Sequence, residues 1–218
     1  MQKVIIFGIG DFACQMFRYL SYQKDIRVVA FAVQNDYLTQ TEYLGLPVIS
    51  LESMEGVFPA NSHKILVCVG YTKMNSIREK VYFEIKKCGY EIMSYIHETA
   101  TILSKDIGYG CIILENVTIG IGCKVGVGNI FFPNTTISHD TEIGNYNFFA
   151  PSVAVAGHVK IKNYCFLGIH STVRDNVRID DYTLLGAATY LKHDSHQFDV
   201  FKTNNMLKAE VKSTEVKI

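Results

Sequence analysis

The stretch IGYGCI-ILENVT-IGIGCK-VGVGNI-FFPNTT-ISHDTE, residues 107–142, decides the fold. Every sixth residue from its start is large and apolar, and the series continues beyond it: Ile107, Ile113, Ile119, Val125, Phe131, Ile137, Ile143, Phe149, Val155, Ile161, Leu167, Val173, Ile179 and Leu185. Four places after each stands a small or β-branched residue, among them Cys111, Val117, Cys123, Thr135, Thr141, Val153, Val159, Cys165 and Ser171; Asn129 and Asn147 break that rule. Gly108, Gly120, Gly126, Gly144, Gly168 and Gly186 follow the large residue directly. A large residue, a turn residue and a small inward residue in every six is the pattern of a parallel β-helix. Each hexad supplies one short strand and one corner, and three hexads make one triangular coil. The series therefore predicts between four and five coils.

Ahead of the repeat the period changes. Val4–Phe7 is a short apolar run, Gly8-Ile9-Gly10 follows, and Phe12, Met16, Phe17 and Leu20 recur at helical spacing. Arg27–Val33 and Ile65–Val69 read as further strands, Asn75–Cys88 as a helix closed by Gly89, and Glu91–Ile96 as a last strand. Strands alternating with helices imply a small doubly wound parallel sheet. The expected organisation is an α/β Rossmann-like domain over 1–97, an all-β parallel β-helix over 98–190, and a C-terminal tail over 191–218.

Composition narrows the function classes. Of 218 residues 48% are hydrophobic and 19% charged, which is globular and not disordered composition. Lysine plus arginine equals aspartate plus glutamate at 21 each, so no net field draws the chain to nucleic acid. No apolar run reaches the length of a membrane span, and the N-terminus has no targeting composition, so a cytoplasmic location is expected. Six cysteines without CxxC spacing read as reduced thiols, not as a zinc site or a disulfide frame.

Two constellations carry chemistry. Gly8-Ile9-Gly10-Asp11-Phe12-Ala13 is GxGxxA between a strand and a helix, a backbone that lets a phosphate approach the helix N-terminus. Gly70-Tyr71 ends the third strand and lines the same carboxyl-edge crevice. In the repeat, His139 is third in its hexad and stands on a corner, with Asp140 directly after it. His158 lies eighteen residues beyond Asp140, at the equivalent corner one coil on, about 4.8 Å away along the axis. A carboxylate beside an imidazole fixes its tautomer, as a general base requires.

The repeat, the joined N-terminal domain and Ser138-His139-Asp140 together resemble the hexapeptide-repeat acyltransferases. The resemblance is to the subfamily that joins a small Rossmann-like domain to a left-handed β-helix, which includes bacterial nucleotide-sugar N-acetyltransferases and sialic-acid O-acetyltransferase-like proteins. It implies acetyl-CoA as co-substrate, a nucleotide-linked sugar as acceptor, a homotrimer, and a product destined for a surface glycan such as lipopolysaccharide or O-antigen. It also implies roles for residues. His139 would be the general base and Asp140 its orienting acid, with His158 beside the substrate. Gly157 would donate to the thioester oxygen, and Gly168 and Gly186 would line the pantetheine arm. Asn35-Asp36 stands where the subfamily has an acidic pair against the nucleotide; Asn35 departs from it. The sugar of a nucleotide gripped by the N-terminal domain would reach toward His139.

Three other readings remain open on the residues: a sugar O-acetyltransferase of the same fold, an idle nucleotide-sugar-binding module, and a zinc hydratase built on the same repeat. The last needs three histidines meeting across a trimer corner, and His139, His158 and His170 lack the expected spacing. No metal is expected, and Lys192-His193-Asp194-Ser195-His196 reads as part of a polar tail without proline or glycine.

Overall fold

The computed structural model of the chain describes residues 1–203, and the rest of the expected tail, 204–218, lies outside the described residues. Val4, Ile5, Ile6 and Phe7 are all buried, as a strand covered on both faces requires. They belong to β1 (Gln2–Phe7), followed by α1 (Asp11–Ser21), β2 (Ile26–Val33), β3 (Glu42–Tyr43), β4 (Leu46–Ser50), β5 (His63–Val67), α2 (Ser76–Lys87) and β6 (Glu91–Ile92). The sheet order is β3-β4-β2-β1-β5-β6, parallel except for the β3–β4 hairpin. α1 buries Ala13, Met16 and Leu20, and α2 buries Val81, Tyr82 and Ile85 in a separate cluster, so the sheet is covered on both sides. The order places the switch point between β1 and β5, where ligands of open α/β sheets sit. The hairpin was not expected from sequence: its turn, Leu44-Gly45, takes positive φ at both positions without the usual asparagine or aspartate.

The second half is a left-handed β-helix of two-residue strands on three faces. The first face runs Tyr95–Ile96, Ile112–Ile113, Ile130–Phe131, Phe148–Phe149, Phe166–Leu167, Leu184–Leu185 and Val200–Phe201. The second runs Thr101–Ile102, Thr118–Ile119, Thr136–Ile137, Ala154–Val155, Thr172–Val173 and Tyr190–Leu191. The third runs Asp106–Ile107, Lys124–Val125, Glu142–Ile143, Lys160–Ile161 and Arg178–Ile179. All fourteen large residues of the series point inward, Phe131 stacking on Phe149 with centroids 4.5 Å apart. The two asparagines that break the small-residue rule are fully buried. Asn129 donates to Gly126 and Gly144 carbonyls and accepts from the Asn147 backbone N–H and amide, while Asn147 accepts from the Cys165 N–H.

The helix is longer than the series predicts at both ends. Ile102 precedes Ile107 by five residues instead of six, and Ile102 pairs with Ile119, Ile107 with Val125. One deleted residue hides the first strands from a strict six-residue count. The strand expected over Glu91–Ile96 is accordingly two: β6 closes the α/β sheet, and Tyr95–Ile96 opens the β-helix by pairing with Ile112–Ile113. At the other end the expected tail begins inside the repeat. Leu191 is buried on the second face, and Val200–Phe201 pairs with Leu184–Leu185. That last coil has no third-face strand among the described residues; the Asp194 carboxylate and Ser195 hydroxyl accept the Arg178 and Asp180 N–H groups instead.

The N-terminal domain packs on the outer side of the first face. Ile112, Leu114, Ile130, Phe148 and Ala150 share one buried cluster with Met16, Leu20 and Phe31.

Candidate active site

The corner between the second and third faces carries a column of left-handed residues, Gly122, Asp140, His158 and Asn176, with φ between 55° and 74°. Glycine, asparagine and aspartate visit this conformation at least cost. The tight corner turns His139 outward at the preceding position. Its Nδ1 lies 2.9 Å from Asp140 Oδ2, and both side chains are about half exposed, 54% and 53%. With Nδ1–H donating to the carboxylate, Nε2 carries the lone pair. One coil on, the His139 ring lies over Gly157: a Cβ built there would stand 2.7 Å from both Cε1 and Nε2. A side chain at 157 would displace the imidazole from this position. The His158 ring meets the His139 ring edge to face at 5.0 Å, and the His158 N–H donates to the His139 carbonyl.

The crevice at the carboxyl edge of β1 and β5 is equally dependent on glycine. Gly8 has φ of 124°, and a Cβ there would meet the Cys68 carbonyl oxygen at 2.9 Å. Gly10 is the N-cap of α1 and Asp11 its first residue, so the helix N-terminus opens at the crevice. Phe12 rests on Phe132, and Tyr71 packs on Phe148 and Phe166, so the crevice is floored by the first face of the β-helix. Asn35 and Asp36 form a short turn after β2. They line a separate pocket toward α2 with Gln34, Tyr37, Glu52, Ile77, Lys80 and Glu84.

The expected residues thus fall into distinct groups. His139, Asp140, Gly157 and His158 converge on one edge of the prism. Gly8, Gly10, Asp11, Gly70 and Tyr71 converge on the opposite side, over the first face. The β-helix itself stands between that crevice and the His139 of the same chain. Gly168 and Gly186 follow Leu167 and Leu185 at the edge between first and second faces, also apart from His139 in one chain. His170 shares that edge, so the three histidines of the zinc-hydratase reading do not meet within one chain. His139, Asp140 and His158 do offer ligand atoms within 4.8 Å of one another. Asp194 is engaged in closing the last coil, and His196 donates its N–H to Asp199. Burial pushes the Cys111 thiol up to about 11 and Cys165 up to about 12, so both stay protonated core residues.

Sequence reasoning missed Asn75 and Arg78. Asn75, left-handed and fully buried, donates to the Tyr164 and Cys165 carbonyls. Arg78 is fully buried between the domains, and burial draws its guanidinium down to about 10. One signal was available: Arg78 stands three, four and seven residues before Val81, Tyr82 and Ile85, a charge on the apolar stripe of α2.

No protein-family model matches the chain, and no curated protein does. Solved structures do. PerB from Caulobacter crescentus, in complex with CoA and GDP-perosamine, is 24% identical with a TM-score of 0.77, covering 89% of this chain and 90% of that one. A histidine-to-alanine mutant of GDP-perosamine N-acetyl transferase from the same organism gives 22% and 0.81, covering 92% and 93%. The acetyltransferase domain of PglB from Neisseria gonorrhoeae, in complex with acetyl coenzyme A, gives 20% and 0.72, covering 87% and 92%. At these identities the likeness is one of fold, and it extends over both domains.

Proposed function

We propose that the chain is an acetyl-CoA-dependent N-acetyltransferase acting on a nucleotide-linked amino sugar for bacterial surface-glycan synthesis. The observation that carries this reading is the His139–Asp140 pair over Gly157, with Nε2 left free on an open corner. The amine nitrogen attacks the thioester carbonyl carbon, and its proton passes to His139 Nε2 while Nδ1–H remains on Asp140. The N–C bond forms, the C–S bond breaks, and CoA leaves, taking the proton as its free thiol. The Gly157 N–H has no partner among the described residues, and it is free to donate to the oxygen that gathers charge. Direct transfer needs no protein nucleophile, and positioning of two bound substrates supplies much of the rate. PerB holds CoA with a GDP-linked amino sugar on a chain of the same two-domain fold, which supports the substrate class.

The enzyme works as a cytoplasmic homotrimer. The crevice of one chain is turned away from its own His139, so an acceptor held there needs the His139 of a neighbour. The three faces differ in a way that supports this assembly. The first is covered by the N-terminal domain, and the third is charged, with Lys124, Glu142, Lys160 and Arg178 outward. The second presents Thr101, Thr118, Thr136, Ala154 and Thr172, short side chains that allow close approach over its first five coils, with the exposed Tyr190 on its last; His139 stands at its edge. Gly168 and Gly186 flank its other edge and would meet the acyl donor across the subunit boundary.

The test is release of CoA thiol from acetyl-CoA with UDP-, dTDP- and GDP-linked 3- and 4-amino sugars. Turnover on one of them supports the assignment. Turnover only on hydroxyl acceptors would replace it by O-acetylation, and nucleotide-sugar binding without any turnover would replace it by an idle binding module.

A further inference from the structure

The one fully buried Lys or Arg among the described residues, Arg78, is absent from the mechanism above. Arg78 is fully buried and uses all five of its N–H groups on carbonyls: Nε to Gly128 at 3.0 Å, Nη1 to Val69 and Gly70 at 3.3 and 2.9 Å, Nη2 to Tyr146 and Asn147 at 2.8 and 3.1 Å. Among the described residues no carboxylate lies within ion-pair distance of it. Its hydrogen bonds are complete, but its charge is not neutralised. Such an ion is costly to bury, and a neutral tie between the domains would avoid that cost.

The position of the charge gives it a use. Nη1 holds the carbonyls of Val69 and Gly70, two and three residues beyond the end of β5, and the preceding carbonyl, Cys68, is the one that a Cβ at Gly8 would meet. Cys68, the residue packed against Gly8, and Gly70 are two peptide steps apart, roughly 8 Å or less. The unpaired charge therefore lies directly behind the crevice at the switch point, in a dry setting where salt screens it little. The near surface of that crevice carries Asp11, whose carboxylate opposes an anion.

We propose that Arg78 supplies the electrostatic attraction that holds the diphosphate of a nucleotide in the Gly8–Gly10 and Gly70 crevice, acting through the field of an uncompensated buried charge and touching no ligand. The inference rests on the nucleotide reading of that crevice. Arg78 is thus a positioning residue. At about 10 Å and an effective dielectric of about 20, one unit charge on the ligand is worth on the order of tenfold in affinity.

The experiment measures binding of GDP, UDP and dTDP, and of guanosine, uridine and thymidine, to the full chain and to Arg78→Met and Arg78→Lys. The quantity read is the ratio of nucleoside to diphosphate Kd for the base that binds. Arg78→Met is expected to lower this ratio at least tenfold, and Arg78→Lys, which keeps the charge, to restore most of it. Equal losses for nucleoside and diphosphate in Arg78→Met would mean that Arg78 only ties the domains together, which overturns the inference and leaves the nucleotide reading standing. Binding of no diphosphate to the native chain would overturn both. Should Arg78→Met fail to fold, the native chain decides: the preference for diphosphate is expected to persist in 1 M NaCl, and its collapse there would assign it to exposed charges.

Discussion

Replacing Gly157 by alanine tests the geometry of the His139 corner with a single methyl group. The added Cβ would stand 2.7 Å from His139 Cε1 and Nε2, where ordinary contact begins at 3.4 Å, so the ring must retreat by about 0.7 Å. It can retreat, because the side chain is half exposed and held only by Asp140 and the edge-to-face contact with His158. Gly157 is not among the positive-φ residues, so alanine is allowed in the backbone. Stability should therefore change by less than about 1 kcal/mol, moving Tm by no more than roughly 2–4 °C. Activity should not be spared: a misplacement near 1 Å costs about 10²-fold, and loss of the base altogether sets a ceiling of about 10⁴-fold. The assay is CoA thiol release beside a thermal melt, with a crystal structure of the variant to locate the ring. Wild-type turnover in Gly157→Ala with His139 unmoved would refute the claim that this corner is shaped for the imidazole. So would a variant that loses activity only because it has unfolded.

Further expectations concern the scaffold, the assembly and metals. Asn147→Val removes the acceptor of the Cys165 N–H and a donor to Asn129, leaving buried polar groups unpaired, and should cost about 2–4 kcal/mol in denaturant unfolding. Ala154→Arg places a long charged side chain on the outer side of the second face; on the proposed trimer, light scattering should report monomers, with turnover falling in proportion as the crevice loses the neighbouring His139. Dialysis against a chelator should leave turnover unchanged, whereas loss restored by zinc would revive a metal role for His139, Asp140 and His158.

How much of this was legible in the sequence follows from where side chains outweigh backbone accidents. The inward hexad residues declare themselves because each must fill the same prism, and the paired positions give a uniform ladder from Ile107 to Leu185. A five-residue step between Ile102 and Ile107 puts the first strands out of phase, and a shortened last coil does the same before Val200–Phe201, so both ends were under-read. The His139–Asp140 contact was legible because adjacent residues on one corner have few ways to miss each other. The separation of His139 from the N-terminal crevice was not, because it depends on which face of the prism the first domain covers. That choice is made by outward residues such as Phe132, Phe148 and Phe166, which no repeat count distinguishes from surface. Arg78 escaped because hydrophobic patterning treats a charge on an apolar stripe as an exception.

The central claim is that His139 is the base that accepts the acceptor's proton. The direct measurement is kcat for CoA thiol release on the preferred amino sugar, native chain against His139→Ala, with nucleotide-sugar Kd measured in parallel. The account predicts a fall of about 10²- to 10⁴-fold in kcat with the Kd nearly unchanged. Turnover that survives the substitution would contradict it.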